Sequence, residues 1–544
     1  MARDRYSWLR RLVGRDDARS AFRAEKTAVS AAASRPTVHE GFRQSMTQAA
    51  EDRHVDIGVA AREPSINVRL RFSELVGHGH GLVLGGNGTG KTRLIAGIVR
   101  WLIEENAHAP ASVGVWVQDH KSEFIALMRE LLADAITSLP AARAEALLDR
   151  IVVIDPFSSS ALVPMQILKP EDGMRPEDQA FEVTTLVNRA CGADLGVRQD
   201  DYTYHVLLLG ITTGHSLPEV AALLADPIAL ARAARSSSCD TVRTYFGSAD
   251  RKQLTQGSLE GVRARINKLL RLPATRLMLG AKESVSFRRL LAENIVLVDV
   301  GSPPFGCEDI GRFWSGLLTL KLTRAIFERT HADAKRPVAI AIDEWQEGLG
   351  AGGDIAEHYE RVLAMARSRG VSLWLVSQSL AGAAKVSSTL PKVVATNTNV
   401  QMCFRASPED AKAMGHLLPI SGRRARPRSA PWEEASRSPF LSRAEEIDLL
   451  TREITTLPDR TFYFWNRRDG GRAELVRAAN VGPRGRTRPN SRVVGRLRDG
   501  AIGLPIAELE RNATRTEENQ FRILDGETVQ LAGPSKRPKE PTDT

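Results

Sequence analysis

The sequence is sparing with cysteine. Four occur in 544 residues, at positions 191, 239, 307 and 403, far apart and with no C-x-x-C pair. That spacing argues against a zinc ribbon or a disulfide framework and for a reducing compartment. Long apolar runs are also missing, none reaching the roughly 18 residues of a membrane span. Near the start, Arg10, Arg11 and Arg15 interrupt what would be the apolar stretch of a signal peptide. The chain is therefore expected to be cytoplasmic, either free or peripheral at the inner membrane. An acidic excess is absent too. The formal net charge is +10, which suits nucleic acid or an anionic membrane surface and does not choose between them.

What is present has a globular balance, with 42% apolar and 26% charged residues. This length exceeds one ordinary core, so several domains or one core with a large insertion are expected. The charge is uneven: arginines crowd residues 3–23, 423–428 and 484–498. Residues 1–63 read as a basic appendage. Within it "RYSWLRRLVGR" places Trp8, Leu9, Leu12 and Val13 on one helical face among arginines. Such a helix either touches membrane or DNA or docks on its own domain.

From residue 64 strands alternate with helices. "INVRLRF", "GLVLGG", "SVGVWVQD", "RIVVIDP", "NIVLVDV", "PVAIAIDE", "VSLWLVSQ" and "NVQMCFR" are short β-rich runs. Several are apolar throughout, as parallel strands covered on both faces require. The fold class is α/β with a mostly parallel sheet. The stretch between "VVIDP" and "NIVLVDV" is different: it is poor in strands and helical in period, with Val262, Ile266 and Leu269 on one face. The expected organisation is a core in two parts, 64–165 and 291–480, interrupted by an all-α insertion over 166–290. A basic, disordered tail is expected over 481–544. "RTFYFWNRRDGGRAEL" reads as a closing hairpin with Phe462 and Phe464 inward, or as aromatics and arginines that stack on bases.

The strongest chemical signal is "GLVLGGNGTGKT", a strand running into Gly85, Gly86, Asn87, Gly88, Thr89, Gly90, Lys91 and Thr92, with Arg93 opening the next helix. Glycines let such a loop fold tightly so that its N–H groups point at phosphate oxygens, and the helix presents its positive end to the same anion. Lys91 would reach the β and γ phosphates of ATP and Thr92 would hold Mg²⁺. A second acid is needed for the metal and the water. "PVAIAIDEWQEG" supplies Asp343 for the Mg²⁺ shell and Glu344 to polarise the attacking water. In "MARSRGVSLWLVSQSL" a strand leads to Gln378, placed to sense the γ phosphate or the water. Arg367 and Arg369 are either solvated helix-end charges or hold an arginine finger for a neighbouring subunit.

"GVWVQDHKSEF" begins as a buried strand and ends in charge: Asp119, Lys121 and Glu123. Its place after the P-loop helix puts that end on the phosphate edge of a parallel sheet, close to nucleotide or a subunit interface. Pairing of Lys121 with a carboxylate is the alternative.

Taken in order, "GGNGTGKT", "VWVQDHKSEF", "VVIDPF", "AIDEWQ", "RSRGVSLWLVSQSL" and "NTNVQMCFRASPEDAKAM" resemble the HerA/FtsK superfamily of DNA-pumping ATPases. The match is nearest to the branch of TraG-type conjugative coupling proteins and type IV secretion ATPases, and it covers residues 68–420. The resemblance implies a RecA-like core, a ring that is most often a hexamer, ATP between subunits and DNA in the pore. It also places Arg367 where a trans-acting finger is expected and makes Arg405 a second sensing or finger position. Secretion or DNA-processing proteins would be its further partners. An ATPase energising protein secretion or assembly, or a component of a repair or defence complex, would carry the same motifs. The sequence departs from the family in having neither N-terminal membrane helices nor a leading β-barrel domain.

Overall fold

Short apolar runs such as "GLVL" and "IVVI" can be buried on two faces only if other elements cover both. The computed structural model of the chain provides that cover. It describes residues 38, 40–77, 79–108, 113–170, 173–190, 197–247, 256–351, 353–419, 442–469, 471–483 and 489–514. The expected N-terminal helix around residues 5–15, the basic run at 423–428 and the tail from 515 lie outside the described residues.

In chain order the strands are β1 (His54–Ala60), β2 (Asn67–Arg71), β3 (His80–Leu84), β4 (Gly114–Asp119), β5 (Ile151–Ile154), β6 (Ala161–Leu162), β7 (Ile295–Asp299), β8 (Val338–Asp343), β9 (Val371–Ser377), β10 (Thr398–Cys403), β11 (Thr461–Asn466), β12 (Glu474–Ala478) and β13 (Leu504–Pro505). The helices needed below are α1 (Glu40–Ala49), α2 (Lys91–His108), α3 (Glu123–Thr137), α4 (Pro176–Ala190), α5 (Val197–Thr213), α6 (Gln256–Leu269), α7 (Glu308–Phe327) and α8 (Ser491–Asp499). The chain divides into two compact units, residues 1–101 with 363–482 and residues 102–362 with 483–544.

In the first unit the strands lie in the order β2, β1, β12, β11, β10, β3, β9. β3 runs parallel to both β10 and β9, while β10, β11, β12, β1 and β2 follow one another antiparallel. Leu82, Val83 and Leu84 have no exposed surface. Burial of each such side chain stabilises by roughly 1.5–3 kcal/mol. Residues 1–63 are not an appendage throughout, because β1 pairs on one side with β2 and on the other with β12. Ile57 and Ala60 face inward. Phe42 and Met46 of α1 are buried as well, Phe42 meeting Phe464 edge-on at 6.2 Å. The hairpin of β11 and β12 closes the unit as the sequence suggests. Phe462 and Phe464 are buried, Phe462 stacks on Phe404 at 4.8 Å, and neither ring is open to a base. Arg467 donates to the carbonyls of Thr396 and Ala395, at 2.6 and 3.0 Å.

In the second unit β8, β4, β7 and β5 are parallel neighbours. Every described element between β6 and β7 is a helix, α4, α5 and α6 among them, and a single bridge between Met165 and Ser284 joins the two ends of this stretch. Val262, Ile266 and Leu269 point into it with no exposed surface. The disorder expected from residue 481 does not hold for 489–514. Asn490 caps α8 through a bond from the Arg492 amide at 2.9 Å, Val493 and Leu497 are buried, and α8 lies against α3 and β5. Its arginines masked an apolar stripe only two residues wide. Among the described residues no single helix is long and apolar enough to cross a membrane. The bent pair of α5 and Leu217–Leu223, apolar enough by composition, has a buried core in Val206 to Leu209.

Candidate functional site: two charged sheet ends

Three parallel strand ends of the first unit finish level. Cys403 of β10 pairs with Leu84 of β3, which pairs with Ser377 of β9. The glycine-rich loop leaves from the middle one and is tied to both neighbours. Gly85 N–H donates to the Ser377 carbonyl at 3.1 Å and Gly86 N–H to the Arg405 carbonyl at 2.7 Å. Within the loop Thr89 is buried and its hydroxyl donates to the Gly86 carbonyl at 2.9 Å. α2 starts at Lys91, whose side chain is buried. Thr92 is half-buried, while Asn87, Gly88 and Arg93 are exposed. Arg93 donates to the Val481 carbonyl at 3.2 Å.

A second turn roofs this loop, and sequence reasoning missed it. Arg460, between α-helical residues and β11, has φ of 61°, the left-handed region rarely adopted outside glycine. Its N–H donates to the Thr89 carbonyl and its carbonyl accepts from the Ala478 N–H, both at 2.8 Å. Gly90 lies beneath it at φ 100°, and a Cβ there would stand 3.2 Å from Arg460 Cγ. The loop conformation therefore demands glycine twice over at this position. Beside it a cavity of about 190 Å³ is lined by Gly90, Arg93, Leu94, Arg460 and residues 478–481. The only hint in sequence was the turn-forming "LPDR" before a strand.

The other residues expected at this edge separate into two groups. Gln378 directly follows β9, and Arg405 directly follows Phe404 at the end of β10, so the fold brings both beside the loop. The Arg405 guanidinium pairs with Asp459 at 2.7 Å and donates to the Leu457 carbonyl at 3.2 Å, bracing the roof turn. Arg367 lies before β9, at the opposite end of that strand and exposed. Seven residues of strand at about 3.3 Å each separate it from the phosphate edge, so it does not serve the loop of its own chain. Its charge acts on His80, the first residue of β3. His80 is buried, accepts from the Leu373 N–H at Nδ1 and bonds the Leu363 carbonyl through Nε2, each at 3.0 Å. Nε2 therefore carries the proton. Burial pushes its pKa down to about 4, against the bond to Leu363, and the Arg367 charge lowers it further.

The second unit ends its strands in carboxylates. Asp343 of β8, Asp119 of β4 and Asp299 of β7 are in register across three adjacent parallel strands. Asp119 has no exposed surface. Its Oδ1 accepts from the Lys121 N–H at 2.8 Å, and its Oδ2 accepts from Phe124 and Ile125 at 2.7 and 3.1 Å. It is the cap that turns the chain from β4 into α3. Burial pushes its pKa up to about 6; the Lys121 and Ile125 N–H bonds oppose this, and Asp343 and Asp299 reinforce it. The turn it holds is tight: Ser122 has φ of 64° and its hydroxyl donates to Asp299 at 2.6 Å. Gly301 backs the turn so closely that a Cβ there would lie 2.3 Å from the amide nitrogens of Lys121 and Ser122. Glu123, the first residue of α3, is exposed at the positive end of that helix.

Lys121 reaches Glu344, with Nζ 3.2 Å from Oε1. Glu344 is 2% exposed and has φ of 50°. Gln346 Nε2 donates to its other oxygen, and its own N–H donates to Asp343 Oδ1 at 3.0 Å. His120 fills the space behind. Gln118 Nε2 approaches His120 Nε2 at 3.2 Å, so Nδ1 donates to Ser315 of α7 at 3.0 Å. Burial pushes the His120 pKa down to about 4, with the Glu344 charge opposing. Asp299 and Gly301 went unnoticed in the sequence, although "NIVLVDV" ends in an aspartate just as "GVWVQD" and "PVAIAID" do. Among the described residues no cluster of three or more His, Cys, Asp or Glu side chains is placed to hold a metal alone.

No family model matches the sequence, and no curated protein sequence matches it. Solved structures do. The chain is similar to VirB4 of Thermoanaerobacter pseudethanolicus, with 11% identity and a TM-score of 0.50, covering 79% of this chain and 97% of that one. It is also similar to the plasmid coupling protein TrwB in complex with ADP and Mg²⁺, with 15% identity and a TM-score of 0.49 over 83% of this chain and 94% of that one. A third match is the cytoplasmic domain of the Thermomonospora curvata type VII secretion ATPase EccC, at 14% identity and a TM-score of 0.30, over 82% and 31%. The likeness to VirB4 establishes a shared fold, the RecA-like α/β core with a mostly parallel sheet expected from the sequence.

Proposed function

We propose that the chain is an ATP-hydrolysing ring motor that translocates DNA, as in conjugative transfer, type IV secretion or related DNA processing. The observation that carries this reading is the loop from Gly85 to Thr92, folded between a buried strand and a helix and roofed at Gly90 by a left-handed arginine. Such a loop fits phosphate: it offers N–H groups, a helix N-terminus and a buried lysine amine. Thr92 and Asp343 are the oxygen donors suited to Mg²⁺, which when bound neutralises charge developing on the phosphates. Glu344 takes the proton of the attacking water. The bond formed joins water oxygen to the γ phosphorus, and the bond broken releases ADP through the bridging oxygen. Gln378 and Arg405 sit where they would sense the phosphate. Arg367, exposed at the far end of β9, fits a finger for a neighbouring subunit in a ring, most simply a hexamer.

DNA as the cargo is supported by the net charge of +10, since a pore that tracks a strand needs phosphate contacts without sequence choice. ATP turnover is measured with and without single- and double-stranded DNA across a salt series. DNA stimulation that falls steeply with salt supports the reading, and Lys91→Ala abolishes turnover. ATPase activity indifferent to any DNA would point instead to a polypeptide cargo, as in protein secretion.

A further inference from the structure

We propose that Lys121 is a positioning residue for hydrolysis, holding the Glu344 carboxylate in the orientation that accepts the proton of the attacking water. The inference rests on the reading of Glu344 as the base. It assigns a task to the lysine of the charged end of β4, which motif spacing alone left without one.

Both ends of the contact are fixed by their own backbones. Lys121 sits in a turn pinned by its N–H on Asp119, by the Ser122 hydroxyl on Asp299, and by the close approach of Gly301. Glu344 is pinned by its N–H on Asp343 and by its carbonyl, which accepts from Glu347 N–H at 2.8 Å. Its carboxylate is then gripped from two sides, Lys121 at Oε1 and Gln346 at Oε2. A glutamate side chain has three rotatable bonds, and a donor on each carboxylate oxygen narrows its arrangements. General-base catalysis depends on that, because a carboxylate must lie within hydrogen-bond reach of the proton it takes.

Stability does not explain the pair. Ser122 and Glu344 are the non-glycine residues with positive φ in this unit, among those described, and they flank the contact on either side. Each strained residue costs on the order of 1–3 kcal/mol. The ion pair, with its lysine 40% and its glutamate 2% exposed, returns little net stability, because desolvating the carboxylate offsets most of the attraction. The strain therefore exceeds what the contact gives back to the fold, and strain kept at a charged, buried strand end is the signature of a functional arrangement.

The test compares the wild-type chain with Lys121→Met, Lys121→Arg, Glu344→Gln and the double variant Lys121→Met with Glu344→Gln. Turnover number and KM for ATP are measured alongside equilibrium binding of a fluorescent ATP analogue. Methionine keeps the apolar stem and removes the charge. Its kcat is expected to fall about 10- to 100-fold, a part of the ~10²–10⁴-fold that general-base catalysis supplies, while KM and analogue binding stay within about threefold. Arginine is expected to restore kcat to within about tenfold of wild type, and the double variant to be no slower than Glu344→Gln alone, as residues acting as a unit are not additive. A Met variant with unchanged or raised kcat overturns the inference, the latter meaning that Lys121 restrains the base. A Met variant whose loss lies in KM and analogue binding also overturns it, making Lys121 a nucleotide contact. Absence of any ATP turnover in the wild-type chain would instead remove the reading of Glu344 as a base, and the inference with it.

Discussion

The two charged sheet ends solve opposite problems. At the end of β3 the chain removes side chains and offers backbone: glycines at 85, 86, 88 and 90, with Arg460 clamped above by its own N–H and carbonyl. At the ends of β8, β4 and β7 it offers carboxylates and uses backbone N–H groups to hold them, three on Asp119 alone. An anion needs donors without bulk, whereas a base must be a side chain held still. A region built from backbone writes itself into sequence as glycine spacing. A region built from side chains leaves only strands ending in acid, a common pattern.

Substitutions at each end test this division of labour. The largest effect belongs to the carboxylate end: Glu344→Gln should lower ATP turnover by about 10²–10⁴-fold, measured as steady-state phosphate release. Wild-type turnover in that variant would mean that the acid end is structural.

Acid should act on the two units with opposite sign. In the first, His80, at the start of β3 and away from the phosphate loop, has a folded pKa near 4 against an ordinary 6.5. The unfolded chain therefore binds its proton first, and stability present above pH 6.5 is lost as pH falls toward 4, by about 3 kcal/mol. Asp119 has its pKa raised from 3.8 to about 6. The folded chain binds that proton more tightly, so this contribution is fully present below pH 3.8 and is lost as pH rises through 6. Denaturant midpoints of wild type and His80→Gln at pH 7 and 5 check the first sign: the loss on acidification should shrink in the variant.

Gly301→Ala should destabilise by roughly 1–3 kcal/mol, as overpacking does, because its Cβ meets the backbone amides of Lys121 and Ser122, in a turn held by Asp119 on the Lys121 N–H and by Asp299 on the Ser122 hydroxyl. An unchanged denaturant midpoint would mean that the turn at Lys121 is looser than its contacts suggest. The smallest effect belongs to an ion pair on α8, whose buried stripe serves as its contrast. Arg496→Ala, breaking a partly exposed pair with Asp149 at 2.6 Å, should cost under about 1 kcal/mol. Leu497→Ala, emptying a buried position, should cost about 2–4 kcal/mol in the same assay.

Much of the fold was legible. The fully apolar runs became the buried parallel strands, and the period of Val262, Ile266 and Leu269 became the core face of α6. β1 was not, because it alternates weakly and follows an Arg- and Ala-rich stretch that hides it. Residues 489–514 were not either, since charge density reads as disorder until the stripe of Val493 and Leu497 finds a surface. At the site, the glycine loop and the Asp343–Glu344 pair could be found because each lies within a few consecutive residues. Arg460 over Gly90 and Lys121 against Glu344 join segments remote in sequence, and no local period or spacing encodes such a contact.

Equilibrium binding of ATP with Mg²⁺ to Lys91→Ala and Glu344→Gln separates a nucleotide-binding end from a hydrolysing one. Lys91→Ala is expected to lose binding by at least about tenfold, the equivalent of roughly 1.4 kcal/mol, while Glu344→Gln binds as wild type does. Equal binding by both variants, or loss of binding only in Glu344→Gln, would contradict that division.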